Sequence, residues 1–573
     1  MHKLAATPGG WDDTTEGVIF IEQNPAPIIF ITSADTEIQI IAKALNRLPA
    51  NFPDLRVVNL LNLQQQLSID TYGETTISKA KIIILRLLGG RSYWSYGLET
   101  IKEIVQQTNA SLIVLSGDDR LDPDLISHST ISLTAVNKLW HYFIEGGVEN
   151  YINALQFVTD LVLQTNYKPN PPKTIPRLGY YAWVKQQDIP TNRQRKQLLP
   201  KVAILFYRSH YLAGNTLPID AICQALSLKS IEPIPLFLSS LREREIQAEL
   251  LEICQQEQIQ LILNTTSFSL AKIGQEEQIK LWQKLDVPVL QVILSGGTKT
   301  QWENSFLGLT PKDVAMNVAL PEVDGRIITR AISFKSSQTW NKKLETDVVI
   351  YEPDIDRVNF VADLASNWVK LRQTKVSQRK VALILANYPN KDGRIANGVG
   401  LDTPASCLEI LKALQKAGYL IEDIPSTSEE LIKRLTQGIT NDRESQEIRP
   451  VYQSLSVAEY QQYFQTLPEK VRQEIINRWG DIKDRENLHI PIPGIQLGNI
   501  FIGIQPSRGY DRDLSLNYHA PDLEPTHEYL AYYYWLRTKF QVRAIIHVGK
   551  HGNLEWLPGK SIALSKNCYP EIA

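Results

Sequence analysis

The feature that most constrains this chain is the recurrence of short, unbroken apolar runs between segments of helical period. Ile28–Thr32, Leu55–Leu60, Lys81–Leu87 and Ser111–Gly117 are rich in Ile, Val and Leu and too short for helices. Strands read this way when helices cover both faces of a parallel sheet. Between them, Glu37–Leu48 and Leu98–Gln107 carry apolar residues at three- and four-residue spacing. Such alternation predicts an α/β fold. A helical stretch, about Leu133–Thr165, closes this first part. Tyr167–Pro176 then holds four prolines in ten residues, a connector that is stiff and extended.

The pattern then repeats in two similar passages. Lys201–Leu205 begins a strand, followed by the polar loop Arg208–Thr216 and a helix from Pro218. Lys380–Ile384 begins another, followed by the long loop Asn387–Thr403 and a helix from Pro404. Each helix leads into an expected strand, Pro233–Leu238 in one case and Tyr419–Pro425 in the other. Leu261–Asn264, Pro288–Leu294, Ile500–Gln505 and Ala544–Val548 are further strands of the same style, and polar Asn441–Asp484 reads as an inserted helical segment. The expected architecture is multi-domain α/β, with several Rossmann-like or flavodoxin-like parallel sheets. Its parts are an N-terminal α/β domain (1–168), a Pro-rich linker (169–178) and two α/β lobes (179–379 and 380–573).

Charge and cysteine usage exclude several classes. Sixty Lys and Arg against 62 Asp and Glu leave a net charge of −2, so no global field recruits nucleic acid. Four scattered cysteines without a Cys-x-x-Cys pair argue against a disulfide framework, a zinc ribbon or an iron–sulfur cluster, and match a reducing cytosol. No run approaches the ~20 apolar residues of a membrane span. Met1–Asp13 lacks the apolar core of a signal peptide. The expectation is a cytoplasmic protein.

In open α/β sheets, ligands sit beyond the carboxyl ends of the strands. Functional residues are therefore expected after Leu205, Ile384, Gln505 and Val548. The densest signal is His547-Val-Gly-Lys-His551-Gly-Asn-Leu-Glu555-Trp-Leu-Pro-Gly-Lys560. Two imidazoles and a carboxylate within nine residues suit a divalent transition metal or proton transfer near neutral pH. His547, His551 and Glu555 are thus the candidate catalytic and metal-handling residues. Gly549 and Gly552 break any helix, which excludes the helical two-histidine zinc motif. Gly559-Lys560-Ser561 is not a phosphate loop, because Leu554 stands where the first glycine is needed.

Arg394, Asn397 and Asp402, in the loop after the strand at 380–384, are candidates for binding carboxylates or amides. Arg208 and His210 are candidates by the same logic, as are Arg508 and Asp511 after the strand at 500–505. Tyr529, Tyr532, Tyr533 and Leu536 share one helix face and read as core rather than a stacking platform. Ser295-Gly-Gly-Thr298 reads as a tight turn, although its N–H groups could receive an anion.

Tyr207–Asp220, Asn317–Arg330, Asn387–Ser406 and His547–Lys560 together resemble the large subunits of aerobic cobaltochelatase and, less closely, of magnesium chelatase. The resemblance runs from the N-terminal α/β part to the last residue. It implies ATP-dependent insertion of Co²⁺ into a corrin precursor of the hydrogenobyrinic acid diamide type, in cobalamin biosynthesis. AAA+ ATPase subunits would hydrolyse the ATP, in keeping with the missing phosphate loop. The alternatives it leaves are Mg²⁺ insertion into protoporphyrin and a tetrapyrrole- or metal-binding carrier without catalysis. Large subunits of this family are longer, so the expectation is that the chain is a fragment or that a separate chain supplies the C-terminal part of the cavity.

Overall fold

A computed structural model describes residues 18–117, 120–183, 199–270, 280–388, 390–442, 444, 448–484, 488–510, 522–549 and 554–573. The chain forms two compact units, Met1–Glu303 with Leu309–Asp363, and Asn304–Gly308 with Leu364–Ala573.

In the first unit, the four initial apolar runs form a parallel sheet of β1 (Ile28–Thr32), β2 (Leu55–Asn59), β3 (Ile82–Leu87) and β4 (Ser111–Ser116), ordered β2-β1-β3-β4. At the carboxyl ends of β1 and β3, buried Glu37 accepts hydrogen bonds from Thr32 and from the Tyr151 hydroxyl (2.8 Å), and pairs with Arg86 at 2.8 Å. A buried charge pair is tolerable only when hydrogen bonds satisfy its remaining atoms, and here two hydroxyls support the carboxylate.

The stretch at 133–165 is two helices, Leu133–Glu145 and Gly147–Leu163. They break at Gly146 and Gly147, whose φ of +69° and +80° few side chains tolerate. The proline-rich connector is fastened as well as extended. Asn150 exchanges two 2.9 Å hydrogen bonds with the Lys173 backbone, and Ile175 N donates to the Glu145 carboxylate at 3.0 Å.

The same unit contains a seven-stranded sheet of β5 (Leu178–Tyr180), β6 (Lys201–Tyr207), β7 (Glu232–Leu238), β8 (Ile259–Asn264), β9 (Val289–Leu294), β10 (Ile327–Asn341) and β11 (Thr346–Pro353). Its order is β11-β10-β9-β8-β6-β7-β5, parallel except for the two edge strands. The β10–β11 hairpin was not legible in the sequence, because Thr329, Arg330, Ser333 and Lys335 interrupt its apolar run.

Two sequence expectations change here. Arg208–Thr216 is not a loop throughout: Arg208–Ala213 is a helix starting at the end of β6 and closed by Gly214 at φ +59°. Ser295-Gly-Gly-Thr298 does receive an anion, but it is the chain's own Asp313, which accepts from Gly296 N (3.0 Å) and Ser295 Oγ (2.7 Å).

His210 is buried edge-on to Tyr351, with ring centroids 5.2 Å apart. Burial, helped by the nearby Lys335 charge, lowers its pKa to about 4. The unfolded chain therefore takes up this proton near pH 6.5, before the folded chain does. The contribution is fully present above pH 6.5 and is lost as pH falls toward 4, by roughly 3 kcal/mol in all. Urea titrations from pH 7 to pH 4 should show this loss, and His210→Gln should flatten it.

In the second unit, β12 (Val381–Leu385), β15 (Gly494–Leu497), β16 (Ile500–Ile504) and β17 (Ala544–Val548) form a sheet ordered β15-β16-β12-β17. A separate pair, β13 (Ser454–Ser456) and β14 (His489–Pro491), brackets the helices Val457–Thr466 and Glu469–Trp479. Tyr419–Pro425 is not a strand. The antiparallel hairpin partner β15 holds the place beside β16, and a hydrogen bond from Asn499 N to Leu420 O (3.0 Å) ties the extended segment across the hairpin turn.

The tyrosine stripe lies on the helix His527–Trp535, which continues as a π-helical turn, Leu536–Phe540. Tyr529, Tyr532, Tyr533 and Leu536 are all buried, packed with Ala382, Ile384 and Phe501. The helix approaches β16 so closely that a Cβ on Gly503 would sit 1.8 Å from the Tyr532 hydroxyl. Gly503→Ala should therefore destabilise this unit by about 1–3 kcal/mol, read as a lower urea midpoint.

Candidate functional site

The site is assembled by β12, which has parallel neighbours on both sides. Leu385 pairs with Ile504 of β16 and with Val548 of β17, so three carboxyl ends finish level. Past them the backbones stay joined, Gln505 N donating to Leu385 O (2.9 Å) and Ala386 N to Val548 O (3.2 Å). Segments following Leu385, Ile504 and Val548 thus leave one edge of one sheet.

The loop after β12 is closed on itself. Asn387 and Ile395 form an antiparallel bridge, and Ala396 N donates to Ala386 O at 2.7 Å. Asp392 accepts from Thr440 Oγ1 (2.7 Å) and pairs with Arg449. The loop is also tied to the segment after β16: the Tyr510 hydroxyl donates to Asn390 Oδ1 at 2.8 Å, and its ring meets Tyr388 edge-on at 5.4 Å. Arg394 and Asn397 stand exposed on this loop, beside exposed Tyr388, Val399 and Leu401. Asp402 has a structural task as the N-cap of helix Thr403–Lys416, accepting from Ala405 N at 3.0 Å.

His547 is the penultimate residue of β17. Its Nε2 lies 3.1 Å from the Tyr533 hydroxyl, which accepts a 2.8 Å hydrogen bond from Gln505 Nε2. Burial lowers the His547 pKa, while the negative charge of Glu555 opposes that shift. Imidazole and carboxylate are therefore electrostatically coupled. Glu555 sits exposed on the short turn Leu554–Trp556. The end of the motif is anchored: Lys560 Nζ donates to Ser305 O (2.8 Å), and Lys560 N donates to Cys568 Sγ (3.4 Å).

The remaining sequence candidates are buried or lie outside the described residues. Arg508 follows β16 but is fully buried, with Nη2 donating to Leu523 O at 3.4 Å. Arg208 and His210 belong to the first unit. Arg208 donates to Pro176 O (2.9 Å), Ile175 O (3.0 Å) and Glu145 O (2.9 Å), clasping the connector to the preceding helix. His551 and Asp511 lie outside the described residues. Among the described residues no group of three His, Cys, Asp or Glu side chains is arranged to hold a metal.

Sequence reasoning missed Gln505, Tyr510 and Asn390 as parts of the site. Helical spacing places Tyr533 in the core, which is correct for its ring but omits its hydroxyl. The position of these residues after a strand, or opposite one, was the available signal; their pairing required the tertiary fold.

A mainly parallel sheet with His547 at the carboxyl end of one strand and Glu555 on the turn that follows in sequence is the class of structure in hand. Residues 140–573 match the CobN/Magnesium Chelatase family model, and the chain belongs to that family. It is 39% identical to the aerobic cobaltochelatase subunit CobN of Pseudomonas aeruginosa, over all of this chain and 46% of that protein. It is 29% identical to the chloroplastic magnesium-chelatase subunit ChlH of Oryza sativa subsp. indica, over 68% of this chain and 28% of that protein. Among solved structures it matches the catalytic subunit of cobaltochelatase from Mycobacterium tuberculosis with a TM-score of 0.71 and 30% identity, over 95% of this chain and 44% of that one. The chain thus spans under half the length of these relatives. No helix among the described residues is long and apolar enough to cross a membrane.

Proposed function

We propose that this chain is the tetrapyrrole-binding portion of a cytoplasmic, ATP-dependent chelatase that inserts Co²⁺ into a corrin precursor of the hydrogenobyrinic acid diamide type. The observation that carries the reading is the level carboxyl edge of β12, β16 and β17, where the His547–Lys560 motif begins, within a chain similar over its whole length to a cobaltochelatase subunit. The higher identity to the cobalt relative than to the magnesium relative supports Co²⁺ over Mg²⁺.

Metal insertion exchanges pyrrolic N–H protons for a dication. The chelatase must accept those protons and supply donors that replace the water shed by the metal. Glu555, His551 and His547 are the group assigned to both tasks, carboxylate and imidazole being suitable Co²⁺ donors and proton acceptors. Exposed Tyr388, Val399 and Leu401 offer apolar surface to a flat macrocycle, and Arg394 and Asn397 offer donors to its peripheral carboxylates or amides. Asp402 caps the helix that follows the same loop and Arg508 is buried shortly after β16, while Asp511 is kept as a candidate by its place in the sequence. Arg208 and His210 are left out, since both are buried in the first unit. The absence of a Gly-x-x-x-x-Gly-Lys-Ser/Thr sequence supports assigning ATP hydrolysis to AAA+ partner subunits. On this reading, 1–168 is an N-terminal domain, 169–178 a linker, and 179–379 and 380–573 the two chelatase lobes.

The test is reconstituted Co²⁺ insertion, with the remaining length of the relatives supplied as a second polypeptide together with ATPase subunits. Glu555→Gln and His551→Ala should each abolish insertion while leaving the urea midpoint within about 0.5 kcal/mol of wild type. The purified chain alone should bind a tetrapyrrole, seen by absorbance titration, and hydrolyse no ATP. Wild-type insertion rates in both variants would remove the motif from the mechanism.

A further inference from the structure

The seven-stranded sheet of the first unit carries no part of the His/Glu motif, yet it has a carboxyl edge of its own. The chain runs from β6 to β7 on one side, then crosses to β8 on the other side of β6. Successive connections thus turn away from each other between β6 and β8. In open α/β sheets such a reversal opens a crevice at the carboxyl ends of the strands, where ligands bind. Tyr207 ends β6, Ser240 and Arg242 follow β7, and Ser267 and Ser269 follow β8. Ile327 pairs with Leu290 and Leu290 with Leu263, so Arg326, just before β10, stands near the same edge. All six residues line one recess of about 10 Å³, room for a single water-sized group.

The chemistry of that recess is cationic. Its lining holds two guanidiniums and no carboxylate. Arg326 is 3% exposed. Its Nη2 donates to Asp324 Oδ2 (2.7 Å) and Phe268 O (2.9 Å), and its Nη1 to Gln291 Oε1 (3.2 Å). Its Nε is buried and has no hydrogen-bond partner among the described residues. Buried N–H groups nearly always have an acceptor, so the recess calls for one. Arg242 is exposed, with Nε donating to Ser269 O (2.9 Å) and its guanidinium 5.6 Å from the centre of the Phe268 ring. That single bond leaves a planar fork able to grip an oxyanion. Burial lowers the Arg326 pKa; Asp324 opposes that, and the Arg242 charge adds to it. Two cations therefore feel each other here against one carboxylate, already paired to Arg326.

We propose that this recess is a second ligand site, which takes one oxygen of a small-molecule oxyanion, a phosphate or a carboxylate. Arg326 Nε donates to the inserted oxygen, and Arg242 pairs with the rest of the anion. The site lies wholly in the first unit and does not rest on the chelatase reading.

The test is calorimetric titration of the 573-residue chain with inorganic phosphate, and separately with acetate, at low ionic strength. The wild type should bind at least one of them saturably, at a single site. Arg242→Gln, a change at an exposed side chain, should weaken that binding about tenfold or more. Arg326→Gln should remove it, and Arg394→Gln, in the second unit, should leave it at the wild-type value. Whichever anion binds more tightly shows whether the ligand presents a phosphate or a carboxylate. Failure of both anions to bind saturably overturns the proposal, as does binding that Arg242→Gln leaves unchanged. If Arg326→Gln does not fold, Arg242→Gln and Arg394→Gln decide alone. No metal, macrocycle or ATPase subunit enters the assay, so its failure is distinct from a failure of reconstituted insertion.

Discussion

The two-sided parallel pairing of β12 is the constraint on which the candidate site depends. Strand Val381–Leu385 is matched residue for residue with Ile500–Ile504 on one side and Ala544–Val548 on the other. Loops separated by more than 100 positions in sequence therefore start at one level. A register slip of one residue between β12 and β17 would turn His547 to the opposite face of the sheet, because side chains alternate along a strand. The buried apolar run that looks like simple core material is also what aims the chemistry.

The tyrosine-rich helix extends that logic from backbone to side chains. Its packing against β16 requires a glycine at 503, and the same close approach brings Tyr533 within hydrogen-bond reach of both Gln505 and His547. Buried aromatic residues with a polar tip commonly find a partner, and here the partner is a candidate functional residue. Rigidity of the supporting shell is what lets a strand-end histidine hold one orientation.

In the first unit, conspicuous charged residues serve the fold. Arg208 joins the proline connector to the helix ending at Glu145, Asp313 fills the turn at Ser295-Gly-Gly, and Glu37 with Arg86 closes the carboxyl edge of the first sheet. Each has hydrogen bonds that make its burial tolerable. Strand-end position alone therefore does not mark a ligand-binding residue: the same geometry that gathers ligands at a sheet edge also gathers residues that merely seal it.

Sequence by itself determined the α/β class and most of the strands, since Ile/Val/Leu runs such as 28–32, 261–264 and 500–504 are dictated by burial on both faces and need no knowledge of partners. It also located the His547–Lys560 motif, because its residue types are unusual for a strand end. Tertiary structure decided what local pattern does not encode. It replaced the expected strand at 419–425 with the hairpin partner β15, since a sheet edge has room for one neighbour. It withdrew Arg208 and His210 into the interior, since burial depends on what packs above a residue. It joined Gln505, Tyr533 and His547, which lie on three separate elements, because hydrogen bonding depends on distances between side chains in space and not on their spacing along the chain.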